Sequence, residues 1–292
     1  MKDSQTDSLG RATFHRIPER IDVRPSARAL RWFKHIQRHG PQSSELLYEA
    51  TRDTHRCKDT ALRDLQKLRA GGYLRLPRQQ RQTERAEFNP YIYDLTPQAK
   101  RHLRGLGQDE PTIRPTGHWW HGYLCSAFTG SLDIFATRQD RTYIPAHTIL
   151  ARSDADLAIP LPTGRIVPDQ LFAVRYEQGF RAYLLEVDRG TEPVSSQAAR
   201  KSLATSIDQY VEVFSTELHR DHYGLRASTS VLWVFTCPAR RTRFRELVAA
   251  RAGPYAAYFL TKVLPARLGW AELAALHERS WLSGTDRMVQ GL

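Results

Sequence analysis

The sequence is poor in cysteine and has no long apolar run. Its 292 residues include three cysteines, Cys57, Cys125 and Cys237, which are far apart and form no C-x-x-C pair. This spacing argues against a disulfide framework or a structural zinc site, and a reducing cytoplasm is the expected location. No apolar run approaches the roughly 20 residues that a membrane-spanning helix needs, so no membrane partner is expected.

Acidic residues are scarce in the first third of the chain. Residues 1–106 contain 22 Lys and Arg but only 12 Asp and Glu, so they carry +10 of the total formal charge of +12. The remainder of the chain is close to neutral. A charge excess confined to one part indicates a polyanionic partner for that part, and duplex DNA is the partner we expect.

The basic part has the pattern of three helices followed by two strands. Apolar residues recur at three- and four-residue spacing from Ser26, and the run stops at Gly40-Pro41. A second short helix follows, and Lys58–Ala70 is predicted to be the third, with Leu62, Leu65 and Leu68 facing inward. Short strands are predicted at 73–76 and 91–95. This order is typical of a winged helix, in which the third helix reads the major groove.

Basic side chains lie where a winged helix would contact DNA. One group precedes or lies on the third helix, on the face opposite the leucines, and a second group lies in the polar loop between the two strands. The candidate DNA-binding residues are Arg56, Lys58, Arg63, Lys67, Arg78, Arg81 and Arg85. Charge runs on helices are often only solvated surface, so the order of the elements and the charge excess carry this prediction.

The predicted organisation is a disordered tail at 1–25, a winged helix at 26–106, a polar linker at 107–117 and a second domain at 118–292. We expect an α+β fold, with the second domain built on a small mixed sheet. That domain opens with a helix at His118–Phe135 and is predicted to contain strands at His147–Arg152, Leu171–Tyr176, Ala182–Asp188 and Ser230–Cys237, with a long helix at Val194–Leu218. The helix-face histidines His118 and His121 are interpreted as packing or surface residues.

Three carboxylates are predicted to meet at one end of the sheet. Glu186 and Asp188 are two residues apart on a strand and therefore share a face. Asp169 follows a proline at the start of the neighbouring strand. Clustered carboxylates repel each other, and oxygen ligands of this kind suit Mg²⁺ or Mn²⁺. Acidic residues at strand ends are also common without any metal, and both interpretations stay open here.

The second domain resembles the core of the PD-(D/E)XK nuclease superfamily. The matching residues are Pro168-Asp169 and Glu186-Val187-Asp188, which are followed by a helix and a strand. The resemblance implies that Asp169 and Glu186 bind a divalent metal. Asp188 stands where the superfamily has a lysine, and Lys201 on the following helix is the candidate for a lysine that has moved.

A second resemblance covers nearly the whole chain. The strings Leu-Arg-Asp-Leu-Gln-Lys-Leu at 62–68 and Leu-Glu-Val-Asp-Arg-Gly-Thr-Glu at 185–192 are similar to those of the replication-relaxation family of plasmids and mobile elements. Two functions are compatible with it. One is a metal-dependent DNA nuclease or nickase with Asp169, Glu186, Asp188 and Lys201 as catalytic residues. The other is a non-catalytic DNA-binding regulator or replication accessory.

A further alternative makes the second domain a homodimerisation module. In that interpretation, the apolar strands Leu171–Tyr176 and Val231–Cys237 would form the interface. The same strands are explained more simply as the core of the second domain.

Overall fold

A computed structural model describes residues 19–55, 57–82, 90–113, 117–162, 164–190, 202–285 and 287–289. The fold is α+β, and the chain divides between Glu110 and Pro111 into two compact units, inside the predicted linker. Arg56, Arg85 and Lys201 lie outside the described residues, as does the side chain of Arg81. No helix in the described ranges is long and apolar enough to cross a membrane.

The first unit alternates helices with short strands. Its helices are α1 (Ala27–His39), α2 (Ser44–Ala50), α3 (Lys58–Ala70) and α4 (Pro97–Gly105). Its strands are β1 (Gln42–Ser43), β2 (Leu74–Arg75) and β3 (Ile92–Leu95), which form an antiparallel sheet in the order β1-β3-β2. Short 3-10 helices span Arg52–Thr54 and Arg78–Gln82.

The helices of this unit begin and end where the sequence predicts. The Ser26 side chain accepts a hydrogen bond from Ala29 N at the start of α1, and Gly40 ends that helix with φ of 109°. Trp32 is fully buried and donates from its indole N–H to Leu47 O, which ties α1 to α2. The predicted bounds of α3 are confirmed, and its leucines at 65 and 68 are buried.

The second unit has six α-helices, one 3-10 helix (Gly253–Tyr258) and nine strands among its described residues. The helices are α5 (Trp119–Arg138), α6 (Ala146–Ser153), α7 (Leu203–Ser215), α8 (Leu218–Tyr223), α9 (Pro238–Arg251) and α10 (Trp270–Glu278). The strands are β4 (Thr142–Pro145), β5 (Ile159–Leu161), β6 (Gly164–Ile166), β7 (Gln170–Tyr176), β8 (Gly179–Asp188), β9 (Ser228–Phe235), β10 (Phe259–Val263), β11 (Trp281–Ser283) and β12 (Met288–Val289).

Seven of these strands form one mixed sheet, which is larger than the small sheet predicted. Its order is β12-β11-β10-β9-β8-β7-β4. Strands β4, β7 and β8 are antiparallel neighbours, whereas β9 lies parallel to β8 and β10 lies parallel to β9. The chain therefore runs through helix α5, three antiparallel strands, the crossover helix α7 and a parallel strand. Strands β5 and β6 form a separate hairpin.

The sheet is buried on both faces. On one face, Leu171, Leu184 and Trp233 pack in a core that includes Tyr210 of α7 and Phe244 of α9. Successive strand residues alternate between faces, and buried neighbours of these residues, such as those at 185, 187 and 232, line the other face. Strands β7 and β9 also have a hydrogen-bonded neighbour on each edge. Burial of both faces and both edges explains their apolar composition without a dimer interface.

The prediction of a strand at His147–Arg152 is wrong. These residues belong to helix α6, and its buried side chains Ile149 and Leu150 pack in the core. A short apolar run does not distinguish a strand from one buried helical face. The long helix predicted at 194–218 also differs from the structure. Helix α7 begins at Leu203, where Ser202 caps it, and the positive φ of Glu217 separates α7 from α8. Residues 191–201 lie outside the described ranges.

Candidate functional site

Helix α3 exposes a basic surface. Arg63 and Lys67 are four residues apart, both are exposed, and they lie opposite the buried Leu65. Asp64, between them in sequence, is paired instead with Arg28 through an Arg28 Nη1–Asp64 Oδ2 distance of 3.0 Å. This carboxylate is therefore engaged by Arg28, and the side chains of Arg63 and Lys67 are exposed to solvent.

Two other predicted DNA-binding residues, Lys58 and Arg78, are exposed. Lys58 does not lie on the predicted face of α3. Lys58 lies seven residues before Leu65 and therefore on the inward side of α3. It is nevertheless exposed because it is the first residue of the helix. Arg78 is exposed in the 3-10 helix that precedes β3. Both positions leave the side chains accessible to a ligand.

In the second unit, the hairpin of β7 and β8 brings Asp169 beside the strand that carries Glu186. Asp169 N donates to Leu185 O at 2.9 Å, and Asp169 Oδ2 accepts a hydrogen bond from Val187 N at 2.8 Å. Asp169 is thus tied to the backbone on both sides of Glu186, through its amide at residue 185 and through its carboxylate at residue 187. Hydrogen bonds from the backbone hold a carboxylate in a fixed orientation, as is typical of carboxylates that bind a ligand.

Glu186 is buried and held by the crossover helix. Tyr210 of α7 donates its hydroxyl to Glu186 Oε1 at 2.6 Å. Burial, followed by the charges of Glu186 and Asp169, raises the pKa of Tyr210 well above its usual value. Asp169 is bonded to Leu185 and Val187, the two residues that flank Glu186, so Asp169 and Glu186 lie in one neighbourhood.

Helix α5 supplies two residues to this neighbourhood that the sequence interpretation missed. His121 Nε2 lies 2.8 Å from Asp169 Oδ1 and 3.9 Å from Cys125 Sγ. Burial, with smaller contributions from Asp169 and Glu186, raises the pKa of the Cys125 thiol. The available signal was the four-residue spacing of His121 and Cys125, which puts both on one face of a helix. His118 instead caps α5 by accepting from Trp120 N.

Asp188, the third predicted ligand, is engaged differently. Arg240 Nε of α9 lies 2.7 Å from Asp188 Oδ1, and the same oxygen accepts a hydrogen bond from Gly190 N. The carboxylate side chain is only 3% exposed and that of Arg240 15%. A guanidinium thus neutralises Asp188. The basic run after β9 was the sequence signal for it.

The carboxylates fit a hard divalent cation only in part. Asp169 and Glu186 offer oxygens in one neighbourhood, and Asp188 Oδ2 is buried with no hydrogen-bond partner among the described residues. Asp188 Oδ1, by contrast, already serves Arg240. The assignment of all three acids as Mg²⁺ or Mn²⁺ ligands stays a prediction, as does the role of Lys201.

Comparison with known proteins identifies a family for this chain but no individual related protein. A model of the replication-relaxation family matches residues 33–229, about two thirds of the chain. The match extends from α1 to the start of β9, and so includes α3, His121, Asp169 and Glu186 but not Arg240. Neither the curated proteins nor the solved structures contain a match to this chain. The chain belongs to the replication-relaxation family.

Proposed function

We propose that this protein binds duplex DNA through its first unit and acts in the replication or relaxation of a plasmid or other mobile element. The observation that carries the proposal is the basic surface of α3, where Arg63 and Lys67 are exposed and their acidic neighbour Asp64 is paired with Arg28. Membership of the replication-relaxation family supports a nucleic-acid partner.

The order of elements supports a winged helix in particular. Three helices interleaved with β1, followed by β2 and β3 in a sheet of order β1-β3-β2, is the winged-helix arrangement. In that arrangement α3 is the helix that enters the major groove. The basic residues predicted between β2 and β3 would then contact the phosphate backbone and fix the position of the protein on the duplex.

A salt titration of duplex binding tests this proposal. Fluorescence anisotropy with a labelled duplex measures affinity at several salt concentrations for the wild type and for Arg63→Ala/Lys67→Ala. If each residue contacts one phosphate, the double variant lowers the slope of log affinity against log salt by about 1.8. The matched control, Arg101→Ala/Arg104→Ala, removes two exposed charges from α4 in the same unit. If both double variants change the slope equally, the proposal that α3 contacts the DNA is contradicted.

A second candidate function is cleavage of DNA by the second unit. Its support is the shared neighbourhood of Asp169 and Glu186, together with the buried Asp188 Oδ2. Asp169 and Glu186 would hold a divalent cation, which supplies Lewis acidity at a phosphate and a more acidic bound water. The chain's own part is to fix Asp169 through Val187 N and Glu186 through Tyr210.

Incubation with supercoiled plasmid in Mg²⁺ or Mn²⁺ tests cleavage. The nuclease predicts nicked or linear product with the wild type and none with Asp169→Ala, provided that the variant still binds duplex DNA. Circular dichroism confirms that the variant is folded. Intact plasmid with the wild type, or equal product with both proteins, leaves the non-catalytic DNA-binding protein as the function.

A further inference from the structure

Three chemically different donors meet between α5 and the start of β7. The ligand atoms of His121, Cys125 and Asp169 all lie within 4.8 Å of one another. His121 and Cys125 come from successive turns of α5, and Asp169 is fixed by Val187 N. We propose that His121 Nε2, Cys125 Sγ and an oxygen of Asp169 form a site for a borderline-soft divalent transition metal of the zinc class.

The distances are close to those that a tetrahedral zinc site requires. Zinc bonds of about 2.0–2.3 Å place neighbouring ligand atoms roughly 3.4–3.6 Å apart. The distance from His121 Nε2 to Cys125 Sγ is 3.9 Å, and from Nε2 to Asp169 Oδ1 it is 2.8 Å. Separating the hydrogen-bonded pair by about 0.6 Å and drawing the sulfur toward His121 Nε2 by about 0.3 Å would bring these two distances to the required values. Small side-chain rotations achieve such shifts.

The donor types select the class of metal. A combination of imidazole, thiolate and carboxylate suits zinc and its transition-metal neighbours, whereas Mg²⁺ and Ca²⁺ prefer oxygen ligands only. Three protein ligands leave a fourth position open for water or substrate. The His121 and Asp169 side chains are 21% and 16% exposed, which gives an ion access from solvent.

The surroundings favour a cation. The Cys125 thiol is buried, and the negative charges of Asp169 and Glu186 act on it. A bound metal replaces the thiol proton, since a coordinating thiol is deprotonated, and its positive charge offsets those of the two carboxylates. The hydrogen bonds to Asp169 from Val187 and to Glu186 from Tyr210 are of the kind that orient metal ligands from the second coordination sphere.

This site differs from the carboxylate site proposed for cleavage, although the two share Asp169. The transition-metal site needs Cys125 and His121, and the cleavage site needs neither. Duplex binding by α3 needs no residue of either site. Duplex binding, cleavage and transition-metal binding can therefore be lost independently. Arg63→Ala/Lys67→Ala tests the first, Glu186→Gln the second and Cys125→Ser the third, whereas Asp169→Ala removes a ligand that both metal sites share.

Cobalt provides the test because Co²⁺ replaces Zn²⁺ and absorbs in the near ultraviolet when bound to thiolate. Cys57 and Cys237 are exposed thiols, so the test protein is the full chain carrying Cys57→Ser and Cys237→Ser. We expect one equivalent of Co²⁺ to give a thiolate-to-cobalt band that one equivalent of Zn²⁺ removes. Cys125→Ser should abolish the band, and His121→Gln should weaken Zn²⁺ binding in calorimetry by more than about tenfold.

Two results would overturn the site. One is the absence of the band in the protein that retains Cys125, and the other is its persistence after Cys125→Ser. If Cys125→Ser does not fold, His121→Gln at the partly exposed position decides, because unchanged Zn²⁺ affinity there excludes the site. Duplex affinity should be the same with and without Cys125→Ser, and Arg63→Ala/Lys67→Ala should keep the cobalt band. Loss of DNA binding and loss of metal binding are thereby distinguished.

Discussion

Arg240 and Asp188 form an almost fully buried ion pair that joins helix α9 to the end of strand β8. The Arg240 Nε–Asp188 Oδ1 distance is 2.7 Å. The residues are 52 positions apart in the chain. A guanidinium from another element of the fold therefore neutralises the Asp188 carboxylate. An acid at this position is stable because the arginine accompanies it.

Removal of the guanidinium should therefore destabilise the second unit strongly. Arg240→Ala leaves the Asp188 carboxylate buried without its cation, which typically costs about 3–5 kcal/mol. Urea unfolding followed by circular dichroism measures the loss. The double variant Asp188→Ala/Arg240→Ala removes both charges and should be less destabilised than Arg240→Ala alone.

Arg243 on the same helix provides the control for that experiment. It is exposed and pairs with Glu246 three residues away. Such surface pairs contribute about 0–1 kcal/mol, so Arg243→Ala should leave the midpoint nearly unchanged. Equal and small losses for both arginines would show that the buried pair does not stabilise the unit.

The residues between β2 and β3 give a prediction about sequence preference. Arg78 is exposed, and Arg81 and Arg85 follow it in the sequence. If these side chains contact phosphate, the triple alanine variant should lose affinity equally for two duplexes of unrelated sequence, because phosphate contacts carry no base information. Anisotropy titrations with both duplexes measure this. A loss confined to one duplex contradicts a purely positioning role.

Local sequence patterns were sufficient for some elements of this fold and insufficient for others. Helix α3 was predicted at its observed bounds because its leucine spacing and the Gly71-Gly72 stop are local signals. Helix α6 was mistaken for a strand because Ile149 and Leu150 acquire their meaning from the core against which they pack. Strands β4, β11 and β12 were not predicted at all. Short segments of this kind depend on neighbours far along the chain.

In the candidate site, too, some features can be predicted from local sequence and others cannot. Pro168-Asp169 and Glu186-Val187-Asp188 are visible in the sequence, and the hairpin that joins them is local. The contact of His121 with Asp169 spans 48 positions, and the ion pair of Asp188 with Arg240 spans 52. The spacing of His121 and Cys125 and the basic run after β9 are local signals, but neither identifies the acid that each side chain contacts, because tertiary packing brings the partners together. From the sequence alone, His121 is therefore interpreted as a packing or surface residue.

The hydrogen bond from Tyr210 to Glu186 predicts a measurable stability change. Tyr210→Phe keeps the ring in the core but leaves a buried carboxylate oxygen with one donor fewer. Loss of a donor to a charged acceptor costs about 1.5–3 kcal/mol. Tyr223→Phe is the matched control, because its hydroxyl donates at 2.6 Å to a neutral acceptor, Leu157 O. Urea midpoints should fall further for Tyr210→Phe, and a reversed order would show that Glu186 does not depend on this donor.

Lys262 gives the protein a pH-dependent stability. Its side chain is buried, its ammonium donates to Leu276 O and Arg279 O, and Nζ lies 4.3 Å from the centre of the Trp281 ring. Burial lowers the pKa of Lys262 to about 7, whereas an unfolded lysine has a pKa of about 10.4. Between these values the unfolded chain binds more protons than the folded one. The free energy of unfolding therefore rises with pH, by at most about 1.4 kcal/mol per unit.

Other groups limit the range in which this dependence is visible. Burial lowers the pKa of His277 well below its usual value of 6.5, so its contribution falls below that pH. Burial raises the pKa of the Cys125 thiol, whereas an unfolded thiol ionises at about 8.5, so this group lowers the stability above that pH. The raised pKa of Tyr210 acts in the same direction above about pH 10. The range from pH 7 to pH 8 is thus governed by the lysine.

Urea unfolding at pH 7, 7.5 and 8 measures the effect. We expect the midpoint of the wild type to rise over this range and that of Lys262→Met to stay nearly constant, because methionine has no proton to release. Lys67→Met, at an exposed position of α3, should keep the wild-type dependence. Parallel curves for the wild type and Lys262→Met would mean that the two carbonyls and the Trp281 ring hold the ammonium charged throughout, since both contacts stabilise a cation.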